Sequence, residues 1–172
     1  MAKPLKTEYP DGIYFSRYIE SVDNENVIET LKANLDFTEN LYKSLNLDQL
    51  GFRYDTGKWN LKEILGHITD TERIFGYRAL AIARGEQKSL PGFDENEYMD
   101  MANFDSQSIE TLMEQYRLVR LASIALFESF SDDVLSRMGK ANDFRVSARG
   151  MIYMIAGHEI HHLKIIKERY LA

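Results

Sequence analysis

The chain contains no cysteine among its 172 residues. That excludes disulfides, thiolate zinc sites and a cysteine nucleophile, and makes the protein indifferent to the redox state of its compartment. Proline and glycine are scarce, at 3 and 10 residues, which argues against an all-β or disordered chain. No apolar run approaches the roughly 18 residues that would span a bilayer. Positive charge is in deficit: 21 Lys and Arg against 27 Asp and Glu give a formal net charge of −6. An acidic chain without a basic stripe lacks the electrostatic footprint of a nucleic-acid binder, so neither nucleic acid nor membrane is expected among its partners. Met1 to Lys6 is charged but no apolar segment follows, so no secretory signal is expected and the expected location is the cytoplasm. Histidine is scarce as well. There are four, and three of them fall within His158-Glu159-Ile160-His161-His162.

What is present is helical periodicity. At this length one domain covering residues 1–172 is expected. Tyr9-Pro10-Asp11-Gly12 reads as a turn, and the aromatic run around Tyr14, Phe15 and Tyr18 as a short helix or lid. Val27, Leu31, Leu35, Leu41 and Leu45 place a first long helix at about 24–47. Asn60 followed by Glu63 is the capping-box arrangement that opens a second helix, which Gly85 closes. Residues 86–105 read as one long connection. A third helix runs from about 105 to Phe130, a short helical turn opens at Ser131-Asp132-Asp133, and residues 140–146 read as a polar loop. A fourth helix begins near Ser147. No segment shows a convincing strand alternation, so the expected fold is all-α: four long amphipathic helices, a short N-terminal lead-in and one long crossover, a four-helix bundle.

His158 and His162 lie four apart on the inward seam Met151-Ile155-His158-His162-Ile165. Two imidazoles buried in an apolar seam require partners, and a metal ion is a common one. His67, beside the apolar face of the second helix, completes a His₃ set with an open position for water or substrate. A lone core histidine is the plain alternative for His67. His161 is three residues from His158, but the helical advance keeps 161 and 162 from serving one site equally, and the seam selects His162. His161 then flanks the site. The letters His158-Glu159-x-x-His162 also match the zincin protease motif, with Glu159 as general base. Against it, only ten residues follow His162, and no strand layer is expected. A di-iron carboxylate bundle needs a second Glu-x-x-His pair, which the chain lacks.

Trp59-Asn60-Leu61-Lys62-Glu63-Ile64-Leu65-Gly66-His67 with Asp70-Thr71-Glu72-Arg73 resembles the first-ligand motif of the DinB/YfiT-like superfamily. Leu90-Pro91-Gly92-Phe93-Asp94, Asn103-Phe104-Asp105 and Ala156-Gly157-His158-Glu159-Ile160-His161-His162-Leu163 resemble its later blocks, in the same order. Tyr14 to Ile19 resembles its lead-in. The resemblance implies an up-down-down-up bundle that binds one divalent ion, zinc or nickel, through His67, His158 and His162, in a homodimer. It also implies a metal-dependent transferase joining a low-molecular-weight thiol (bacillithiol, mycothiol or glutathione) to a small-molecule electrophile. A hydrolase using metal-activated water is the alternative, and a non-catalytic metal-binding stress protein the third reading. With the chain lacking cysteine, the thiol must be a cosubstrate. Asp70 and Thr71, one turn beyond His67, are candidates to orient it. Glu159 or Asp70 would be the base in a hydrolase. Arg78 and Tyr153 are candidate contacts for an anionic thiol.

Overall fold

The structure, a computed structural model, describes residues 1–171. Four long helices build it: α2 (Val27–Lys43), α4 (Leu61–Ala83), α6 (Ile109–Glu128) and α8 (Ala148–Ile165), the last prolonged by a π-helical turn to Tyr170. Shorter helices join them: α1 (Tyr14–Glu20), α3 (Leu47–Gly51), α5 (Glu95–Ala102) and α7 (Asp132–Leu135). Each long helix starts on a side-chain cap, since four backbone N–H groups at a helix start have no partner within it. Asn26 accepts from Ile28, Ser108 from Thr111 and Ser147 from Gly150. The box at Asn60 closes both ways: Asn60 Oδ1 accepts from the Glu63 N–H at 2.9 Å, and Glu63 Oε2 accepts from the Asn60 N–H at 2.7 Å.

Side-chain hydrogen bonds fix the direction of each helix. Asn60 at the start of α4 donates to Asp105, just before α6, so these two run parallel. Tyr42 near the end of α2 donates to the Leu61 carbonyl at the start of α4, and Lys32 early in α2 pairs with Glu128 late in α6. Tyr170, after α8, reaches the Trp59 carbonyl before α4. The order is therefore up-down-down-up. α4 packs on α6 and α8, and α2 packs on the same two. The chain neighbours α2 and α4 thus lie on a diagonal, which places α4 directly against α8.

A purely α fold does not hold. Strands β1 (Ser89–Leu90), β2 (Met138–Ala141) and β3 (Phe144–Ser147) form a small sheet in that order. β2 and β3 are an antiparallel hairpin and β1 lies parallel to β2, Leu90 opposite Ala141. Residues 140–146, expected as a loop, therefore belong to the hairpin. Its turn, Asn142-Asp143, has φ of 50° and 63°, the doubly left-handed turn whose twist suits a two-residue hairpin. Four-residue strands with a buried Ala141 and Val146 are too short to show alternation. The crossover at 86–105 also carries structure, β1 and α5, the latter capped by Asp94. Among the described residues no helix is long and apolar enough to cross a membrane.

Candidate metal centre

The face of α4 that meets α8 carries His67, and the opposing face of α8 carries His158 and His162. Their Nε2 atoms converge: His158 Nε2 stands 3.0 Å from that of His67 and 3.1 Å from that of His162. One ring nitrogen from each lies within 4.8 Å of the others. Aromatic rings hold the imidazoles from outside. Trp59 packs on His67 with ring centroids 4.7 Å apart, and Tyr18 of α1 stands edge-on to His158 at 5.4 Å. Tyr18 gets so close because Gly157 offers no side chain. A Cβ there would lie 1.9 Å from the Tyr18 carbonyl oxygen.

Burial sets the charge state. It pulls the pKa of His67 down to about 4 and those of His158 and His162 well below 6.5. Mutual repulsion among the rings adds to the effect on the α8 pair. At neutral pH the three are uncharged, with lone pairs free to coordinate. A tetrahedral ion about 2.0–2.1 Å from each nitrogen sets neighbouring nitrogens roughly 3.3 Å apart. The two spacings to His158 need to open by only a few tenths of an ångström, and with all three nitrogens within 4.8 Å of one another the donor set fits a single small ion. The triad forms the floor of a cavity of about 440 Å³ that runs between α4, α8, α1 and the crossover.

His161 is outside the triad, more exposed, and packs on Tyr18 with centroids 5.6 Å apart. Burial and the nearby cations Arg17 and Lys164 lower its pKa. Thr71 and Arg78 both line the cavity. Four expected roles need correction. Asp70 pairs with Arg73 at 2.8 Å, pointing along the helix surface, so it neither orients His67 nor serves as a base. Thr71 makes no hydrogen bond to His67, and its buried hydroxyl has no partner in the protein. Tyr153 faces the other way, fully buried, with its hydroxyl donating to the Met1 and Glu25 carbonyls. Glu159 is also fully buried and cannot reach a substrate. One oxygen accepts from Thr38 and Tyr116, the other from Asn34 and Arg120.

Glu159 belongs to a buried network that sequence reasoning missed. Arg120, without solvent exposure, donates to Glu72, Glu159 and the Leu31 carbonyl. Burial opposes its charge, but Glu159 and Glu72 outweigh that and raise its pKa further. The network ties α2, α4, α6 and α8 together behind the histidines. Its signal was an arginine set among Tyr116, Ile124 and Phe127 on the inward stripe of α6, where only a paired charge is tolerated.

The sequence profile of the DinB superfamily matches residues 30–166. The chain belongs to the DinB superfamily. A relative within reach of this DinB-superfamily chain is an Oceanobacillus iheyensis protein provisionally named a metal-dependent hydrolase. It is 24% identical over 153 residues, covering 86% of this chain and 87% of that one. Among solved structures, the Bacillus subtilis YfiT protein superposes with a TM-score of 0.76 at 18% identity, covering 95% of each chain. It is described as a probable metal-dependent hydrolase with an unusual four-helix bundle topology. The likeness supports the fold, including its helix order.

Proposed function

We propose that the chain is a metal-dependent hydrolase acting on a small molecule, with one divalent ion held by His67, His158 and His162. The observation that carries this reading is the convergence of three uncharged imidazoles on the floor of a cavity large enough for a small molecule. An all-nitrogen donor set suits zinc, nickel or iron better than magnesium or calcium, which take oxygen. The ion supplies Lewis acidity and a lowered pKa for an oxygen or sulfur nucleophile. The chain's own residues do the rest. Trp59 and Tyr18 fix the ring planes of the ligands, and the aromatic walls Phe75 and Phe93 exclude water from around the substrate. The names borne by the two relatives support hydrolysis.

Thiol transfer is the second reading, favoured by one observation. The carboxylates nearest the triad in sequence, Asp70 and Glu159, are turned away from the cavity. A thiol ionises far more readily than water, so its transfer depends less on a carboxylate base beside the triad. One experiment separates the two. Untagged protein of measured metal content is screened against ester, amide and electrophile panels, with and without added thiol. Turnover without thiol supports hydrolysis, and turnover only with thiol supports transfer. Loss of all turnover in His67→Ala with the fold retained is expected for both, and unimpaired turnover in that variant refutes the site itself.

A further inference from the structure

Two arginines are almost wholly buried in this protein, and their surroundings differ. Arg120 is met by two carboxylates and a carbonyl. Arg78, 3% exposed, has no carboxylate within ion-pairing distance among the described residues. It makes one hydrogen bond, from Nη2 to the Pro91 carbonyl at 2.5 Å, and its guanidinium lies over Phe75 and Phe93 at 5.4 and 5.8 Å from the ring centroids. Arg78 also lines the cavity whose floor is the histidine triad. Glu95 contributes to the cavity wall but forms no pair with Arg78. Burying a cation without an anion is costly, and burial alone lowers this one's pKa. Thr71, on the same face of α4 between His67 and Arg78, adds a second unfulfilled group, a buried hydroxyl without a partner. Residue 78 lies roughly 16 Å along the helix axis from residue 67, and its side chain leans back toward the histidines.

The geometry points to an anion subsite built from Arg78, with Thr71 on the same cavity wall, which selects substrates carrying a carboxylate, phosphate or sulfonate remote from the reacting bond. The guanidinium fork pairs with such a group through two parallel hydrogen bonds, and Phe75 and Phe93 cover an apolar or aromatic spacer. The assignment rests on the proposed function only in taking the histidine end of the cavity as the reacting end.

The test uses the full-length protein as purified, with its metal content measured, and two probes of one shape, benzoate and the neutral benzamide. Calorimetric titration of wild type is expected to show benzoate tighter by about ten-fold or more, the strength of a charge-assisted pair. Arg78→Gln is expected to abolish the preference. Arg78→Lys, which keeps the charge but loses the fork, is expected to reduce it several-fold, and serves if the glutamine variant does not fold. Equal affinities in wild type overturn the subsite. So does a benzoate preference that is unchanged in the folded variants; with metal present, that result leaves the metal site standing and assigns the anion to the ion. A preference that vanishes with Arg78 in protein holding no metal supports the subsite and removes the metal reading instead.

Discussion

Glu159 sits next to His158 in the chain, yet the structure makes it a brace. Replacing it with glutamine tests that directly. The amide keeps the shape but loses the charge, and must place its NH₂ where one oxygen was. At the Oε2 position it would face two donors, Arg120 at 2.7 Å and Asn34 at 3.1 Å, neither of which can accept. The amide therefore turns its NH₂ toward Oε1, where the partners are the hydroxyls of Tyr116 at 2.5 Å and Thr38 at 2.9 Å, and hydroxyls can reverse to accept. What is lost is the charge on the Arg120 bond, while Glu72 still pairs with Arg120 at 2.8 Å. A hydrogen bond to a charged group is worth about 1.5–3 kcal/mol, and full removal of one partner of a buried pair costs about 3–5 kcal/mol. With one carboxylate remaining, the expected loss for Glu159→Gln is about 2–3 kcal/mol. For a chain of this size that lowers Tm by roughly 4–12 °C. Urea unfolding gives the free energy, and metal content measured on the same sample is expected to match wild type. Unchanged stability together with lost turnover in a metal-loaded variant would refute the brace and restore Glu159 as a base.

Three further outcomes are expected. In Gly157→Ala the added Cβ, built 1.9 Å from the Tyr18 carbonyl, forces α1 away. The overpacking cost of about 1–3 kcal/mol is partly offset by a helix-propensity gain of about 1 kcal/mol, and faster amide exchange confined to α1 is the readout; exchange like wild type contradicts the close approach. In metal-free protein, burial holds the three triad histidines neutral, His67 down to about 4, whereas in the unfolded chain they titrate near 6.5. Between those values the unfolded state binds more protons, so stability is full above about pH 6.5 and falls as the pH drops toward 4. His67 alone contributes roughly 3 kcal/mol over that window, and urea midpoints that stay flat from about pH 7.5 to 5 contradict it. His161→Ala, which removes an imidazole outside the triad, is expected to leave the bound-metal content unchanged, while His162→Ala lowers it; elemental analysis of the two decides which side chain faces the ion.

The long helices were legible because burial imposes a period of 3.6 that survives in sequence, and Asn60 with Glu63 announced a start that the structure keeps. The pairing of His67 with His158 and His162 was legible because the chain offers few imidazoles and the α8 seam orients two of them. The hairpin was not, because its strands are four residues long and the Asn142-Asp143 turn lacks the usual glycine. The crossover hid α5 because eight polar-rich residues carry little periodic signal. The roles given to Asp70, Glu159 and Tyr153 failed for a common reason. Sequence nearness to a ligand says nothing of which way a helix turns a side chain, and the rotation of about 100° from His158 to the next residue carries Glu159 from the cavity side to the buried network around Arg120.

The central claim is that the three imidazoles hold one ion. Elemental analysis of freshly purified protein, prepared without a histidine tag, measures it most directly in wild type and in the three single alanine variants of His67, His158 and His162. The structure predicts one divalent ion per wild-type chain and a marked loss in each variant, with the fold retained. Wild-type protein free of metal after growth with zinc and nickel supplied, or variants that keep the full complement, would contradict it.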